Sequence, residues 1–166
     1  MNAVSAELFP SLQAGHVPAK SQPLLDQVKL NFGFIPNLFA AFANSPVLLE
    51  GYLALNAAYE KGSLTPRERQ LVLLAASVVN DCDYCTAAHS TVLKGMLKVS
   101  PDVVAAIRAN RALALRREDA LVNLARAMVI TRGKVPEQHR AQFDELLEEA
   151  RLTYPVRDER GVFSDI

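Results

Sequence analysis

The stretch that decides the fold runs from residue 65 to residue 89: Thr65-Pro-Arg-Glu-Arg-Gln-Leu-Val-Leu-Leu-Ala-Ala-Ser-Val-Val79, then Asn80-Asp-Cys-Asp-Tyr-Cys-Thr-Ala-Ala-His89. Thr65-Pro66-Arg67-Glu68 is a helix start. The Thr65 hydroxyl can accept from the Glu68 N–H while the Glu68 carboxylate reaches back to Thr65, a capping box. The helix so begun, to about Val79, is apolar almost all round, which makes it central to a core or buried against another subunit. Asn80-Asp81 breaks the run, and Asp81 is a good N-cap residue for a second helix to about Lys98. That register puts Cys82 and Cys85 in the first turn, where free N–H groups and the helix dipole favour a thiolate. His89 follows Cys85 by four residues, one turn further on the same face. The pattern is a redox dithiol with its own base. Cys85 is expected to be the more acidic thiol, since only it has His89 a turn away.

Working outward, other helix signals repeat. Ser45-Pro46 is an N-cap followed by a first-turn proline, opening a helix to about Lys61 with Gly62 as its stop. Ser100-Pro101 opens another, to about Asn110. Shorter helices fit Lys20–Leu30 and Asn37–Ala43, separated by Gly33 and Pro36 as breakers. Further helices fit Arg117–Thr131, ending at Gly133, and Pro136–Arg151, with Phe143, Leu146 and Leu147 inward. Residues 152–166 form a polar tail and residues 1–19 show weak periodicity. Strand alternation and fixed-period repeats are absent from the sequence. The prediction is an all-α bundle, one domain over residues 25–151 with an N-terminal extension (1–24) and a C-terminal tail (152–166).

Composition narrows the function. The chain of 166 residues is half hydrophobic and carries 18 acidic against 18 basic residues, a formal charge of zero. There is no basic field for nucleic acid. No leader pattern is read at Met1, and the longest apolar run, Leu71–Val79, is far short of the ~20 residues that span a bilayer. Two cysteines in such a chain suggest a reducing, cytoplasmic setting, where a Cys-x-x-Cys is catalytic or metal-binding more often than structural.

Other readings of the same residues are open. The cysteines can be small buried hydrophobes, although Asn80-Asp81-Cys82-Asp83 is a polar setting for that. Zinc wants four ligands in a structural site, and His16 and His139 stand in segments without metal spacing. Tyr84 is a candidate to orient the site or simply to pack. Phe32, Phe34 and Phe39 either line a substrate entrance or anchor a loop.

Asn80 to His89, with Leu64-Thr-Pro-Arg-Glu-Arg-Gln-Leu71 before it, resembles the signature of the AhpD-like, carboxymuconolactone decarboxylase superfamily. Phe34-Ile-Pro-Asn-Leu-Phe39 and Ser45-Pro46 resemble its branch of peroxidase-related proteins. The likeness covers about residues 25–150. It implies an AhpD-like helical fold, homo-oligomers (dimer, trimer or hexamer) and reduction of hydroperoxides by thiols, without metal or haem cofactor. An external thiol or dithiol would serve as reductant. It also implies that Cys85 attacks the peroxide, Cys82 resolves the disulfide and His89 belongs to a proton relay. The relay glutamate of that pattern falls on residue 70, which here is Gln70. Glu68 is the nearest carboxylate, with capping as its simpler role. Competing classes are a redox sensor or oligomeric scaffold, and a decarboxylase- or lactonase-like enzyme using His89 without the thiols.

Overall fold

A computed structural model describes residues 17–134 and, beyond them, residue 145. Residue 145 apart, the expected helix Pro136–Arg151 and the tail therefore lie outside the described residues, as does nearly all of segment 1–19. Within them the chain is helical: α1 (Gln22–Phe32), α2 (Asn37–Phe42), α3 (Pro46–Glu60), α4 (Pro66–Val79), α5 (Asp83–Thr91), a π-helical turn (Val92–Met96), α6 (Pro101–Arg108) and α7 (Arg116–Thr131). No strand occurs among the described residues, as the sequence pattern predicts.

The chain divides into two compact units at Ser63/Leu64. In the first, α1, α2 and α3 enclose Leu25, Ala43 and Leu49, with Phe39 and Phe42 packed against them. Gly33 closes α1 at φ 79°, a left-handed cap that suits glycine. The Ser45 hydroxyl accepts from Leu48 N–H, with Pro46 following as the first helical residue. Phe39 is thus a core anchor, meeting Phe32 and Tyr52 at 5.7 Å in each case, while Phe34 is exposed.

The second unit is organised on α4, which packs against α5, α6, α7 and the π-helical turn. Leu71, Leu74 and Ala75 of α4 share one core with Leu93, Val99, Val104, Ile107 and Val122. The predicted capping box is present: Thr65 Oγ1 accepts from Glu68 N–H, and the Glu68 carboxylate accepts from Thr65 N–H at 2.8 Å. Two ion pairs that no local pattern announces tie the start of α4 to the start of α7. Arg67 donates to both oxygens of Glu118, at 2.6 and 3.0 Å. Arg117 Nε donates to Glu68 at 2.6 Å. One carboxylate, Glu68, therefore caps its own helix and clamps another.

Burial pushes the Glu68 carboxyl up, but donation from Thr65 and Arg117 outweighs it and leaves the group below its ordinary range. A depressed carboxyl stabilises the fold above its unfolded-state pKa, and that contribution is lost as pH falls through the lower folded value. Glu68→Gln is expected to cost roughly 1–2 kcal/mol at neutral pH. It is also expected to flatten the loss of stability below about pH 4.5. Urea titrations of both proteins at pH 7 and pH 4 check this, and equal midpoints at pH 7 would remove the clamp from the account.

Candidate active site

The site begins at the corner between α4 and α5. Asn80 ends α4. Asp81 then takes a left-handed conformation, φ 52°, which aspartate tolerates better than most residues. Asp81 N–H donates to Val78 O at 3.1 Å and Cys82 N–H to Ser77 O at 3.0 Å, the paired bonds of a Schellman closure. Cys82, extended at φ −95° and ψ 95°, is the N-cap of α5. The expectation that Asp81 caps α5 is overturned. The corner needs one left-handed residue to close α4, and Asp81 is spent on that, so the cap falls one position later. A second correction concerns the far end. The α-helix stops at Thr91 and continues to Met96 only as a π-helical turn, short of the expected Lys98. Such a turn is frequent near functional sites.

As cap, the Cys82 sulfur accepts from Cys85 N–H at 3.4 Å. The Cys85 thiol also donates to it, as does Tyr84 N–H, and these bonds, the thiol's first, pull Cys82 below the ordinary thiol range. Burial and the neighbouring Asp83 charge act the other way without prevailing. Cys85 is pushed up to about 11, first by burial and then by its donation to Cys82 and the charge there. The two shifts run against the expected order: Cys82 is lowered and Cys85 is raised. Spacing from His89 suggests Cys85, whereas the hydrogen bonds at the helix start favour Cys82. Both cysteines are half-buried, free thiols.

Because the corner is only three residues long, Asn80 to Cys82, α5 folds back along α4 and His89 meets Gln70. His89 Nδ1 lies 2.9 Å from Gln70 Oε1. With the amide oxygen facing the ring, Nδ1–H donates and Nε2 keeps its lone pair. Burial holds the imidazole below its ordinary range, so it is neutral at physiological pH. A neutral imidazole locked in one tautomer can receive a proton at Nε2 and give it back.

Four of the five predicted site residues thus gather on two adjoining helices: Cys82, Cys85 and His89 on α5, and Gln70 on α4. Glu68 stands apart in its clamp with Thr65 and Arg117. What sequence reasoning missed is the sulfur cap and the partners of Glu68. The Arg116-Arg117-Glu118-Asp119 cluster was the available sign of the latter. Among the described residues no group of His, Cys, Asp and Glu is arranged to hold a metal ion, and no helix is long and apolar enough to cross a membrane.

An all-helical unit presenting a Cys-x-x-Cys at a helix start, backed by a histidine from the next turn, defines a class of helical dithiol proteins. The chain belongs to the carboxymuconolactone decarboxylase family, whose model matches residues 46–134, more than half of its length. It is similar to a solved structure described as an alkylhydroperoxidase AhpD core, an uncharacterized peroxidase-related protein from Ralstonia eutropha. Identity there is 26% and the TM-score 0.69, over 82% of this chain and 74% of that one. A peroxidase-related protein from a Silicibacter species, at 20% identity and TM-score 0.65 over 83% and 73% of the two chains, shares the fold. No curated protein matches the chain significantly.

Proposed function

We propose that the protein is a thiol-dependent hydroperoxidase whose Cys82–Cys85 dithiol supplies both electrons. The observation that supports it most is the pairing of a cap sulfur, Cys82, with a second thiol whose helical neighbour is a neutral, oriented imidazole. The Cys82 thiolate attacks the terminal peroxide oxygen. The O–O bond breaks, Cys82 becomes a sulfenic acid, and the alcohol leaves after taking a proton from water. Cys85 then passes its proton to His89 Nε2 and attacks the Cys82 sulfur, and the hydroxide that departs recovers that proton as water. An external thiol or dithiol restores the pair by exchange. This order departs from the one the family resemblance implies, because the more acidic sulfur is Cys82. Assembly into a homo-oligomer and a reducing, cytoplasmic setting belong to the same reading.

The test is thiol titration with mass spectrometry on the reduced protein, before and after one equivalent of hydroperoxide. Both thiols should disappear with loss of two hydrogens, and peroxide should continue to be consumed when a dithiol is supplied. A disulfide that forms without turnover would instead indicate a redox sensor. Activity on a lactone or carboxylate substrate that survives Cys82→Ser and Cys85→Ser would indicate the decarboxylase-like class.

A further inference from the structure

The π-helical turn Val92–Met96 and α6 border a groove on the surface of the second unit. Its volume is about 360 Å³, and Lys94, Pro101, Val104, Ala105, Arg108 and Ala109 line it. None of the predicted site residues is among them. The α6 residues recur at i, i+3, i+4, i+7 and i+8, which is one face of a helix. The short side chains of Ala105 and Ala109 leave the space beside buried Val104 unfilled. The π-helical turn packs against α6, carries Leu93 into the core and leaves Lys94 on the groove wall. Such turns are found frequently where they shape a functional site. An irregular helix and an unfilled groove, two independent features, thus meet at one place.

The lining says what fits. Its two cations come from different elements, Lys94 from the π-helical turn and Arg108 from the last turn of α6. Neither belongs to an ion pair among the described residues. Asp102, the one carboxylate of α6, is not part of the lining. The other four lining residues are apolar, so an inorganic anion would leave most of the groove uncovered. A neutral apolar molecule would gain nothing from the cations. The volume lies at the low end of the ~300–1,000 Å³ usual for small-molecule sites.

We propose that this groove binds a small organic monocarboxylate, its two oxygens between Lys94 and Arg108 and its apolar body on Val104, Ala105 and Ala109. The planar guanidinium suits the carboxylate fork, and the Lys94 ammonium adds a second charge.

The experiment titrates benzoate into the isotope-labelled full chain and follows backbone amides by NMR. Benzamide, which lacks the charge, and inorganic phosphate, which lacks the apolar body, serve as comparisons. Saturable shifts should centre on Lys94, Val104, Ala105, Arg108 and Ala109. Each exposed cation should contribute about threefold, so Lys94→Gln and Arg108→Gln weaken benzoate by that factor singly and by roughly tenfold together. Benzamide should likewise bind roughly tenfold more weakly than benzoate. Phosphate should also be weaker, because it covers no apolar surface. Ala105→Leu fills the groove and should abolish binding while both cations remain, and Ala109→Leu should do so independently. All four substituted positions are exposed, so the wild-type melting temperature should be retained. Shifts that fail to saturate, that centre elsewhere, or that persist in both leucine variants would overturn the proposal. Equal affinity for benzoate and benzamide would remove the cations from recognition, and equal affinity for benzoate and phosphate would remove the apolar floor. Either result would overturn it as well.

Discussion

Cys82→Ser is expected to abolish peroxide consumption, and Cys85→Ser to leave a sulfenic acid on Cys82 that dimedone can trap. Only a thiolate attacks a peroxide at a useful rate, so the proposed cycle starts on the thiol with the lowered pKa, Cys82. Three donors converge on Cys82: the Cys85 thiol, the Cys85 backbone N–H at 3.4 Å and the Tyr84 backbone N–H. Cys85 itself is held at about 11, where the thiolate fraction at pH 7 is on the order of one in ten thousand. Serine at position 82 removes the thiol that the proposed cycle uses for attack and leaves Cys85 with no sulfur partner for a disulfide, so turnover should stop; burial, the first cause of the raised Cys85 thiol, persists in the variant. Serine at position 85 removes the resolving thiol but retains the backbone donors to Cys82. The first oxidation should then proceed and stop. Trapping followed by peptide mapping distinguishes the assignments. A dimedone adduct on Cys85 in the Cys82→Ser protein, formed as fast as wild-type turnover, would reverse the roles and restore the order implied by the family resemblance.

Gln70→Glu is expected to raise peroxide turnover by about ten- to a hundredfold. In the proposed resolving step a proton moves from Cys85, pushed up, to His89, pushed down. Each unit of that mismatch opposes the transfer by 1.36 kcal/mol. Gln70 orients the imidazole through its bond to Nδ1, but an amide carries no charge to stabilise the imidazolium. A carboxylate in the same place does, and it raises the His89 pKa by opposing the burial that lowers it. General acid–base assistance is typically worth ~10²–10⁴ in rate, so the gain has room to appear. Two measurements check it: turnover as a function of pH, and the His89 titration followed by NMR, which should move upward in the variant. If Glu68 carried the proton instead, Glu68→Gln would cost most of the activity and Gln70→Glu would change little. The clamp of Glu68 by Thr65 and Arg117 argues for the first outcome. Unchanged turnover and an unmoved His89 titration would take residue 70 out of the chemistry.

Local rules carried the fold a long way. The Thr65 capping box and the Ser45-Pro46 and Ser100-Pro101 starts all appear as helix beginnings, because each depends on chemistry within four residues. The Cys85–His89 spacing placed both side chains on one helix for the same reason. What local rules could not supply was competition between neighbouring demands. Asp81 ranks high as a cap in isolation, but it also tolerates the left-handed backbone that closes α4, and the corner uses it there. Sulfur is absent from the usual capping residues, so Cys82 did not suggest itself. The pairing of Arg67 with Glu118 and of Arg117 with Glu68 spans 51 and 49 residues, beyond any periodic signal. The π-helical turn after Thr91 likewise has no mark in the sequence that we can identify. The thiol shifts run against the expected order because they depend on hydrogen bonds to sulfur, which residue spacing does not report.

The sulfur cap links helix stability to electron affinity. In the dithiol state Cys82 offers α5 a sulfur that accepts from Cys85 N–H and whose pKa is lowered toward the charged form, whereas a Cys82–Cys85 disulfide would offer only a neutral, weakly accepting sulfur. Whatever free energy the cap contributes therefore belongs to the reduced form alone. Around the thermodynamic cycle that joins folding and oxidation, stabilising the reduced form makes the disulfide a stronger oxidant by the same amount. A cap worth about 1 kcal/mol corresponds to roughly 20 mV for a two-electron couple. In the proposed cycle the first turn of α5 thus poises the disulfide to be re-reduced, the direction that begins another turnover.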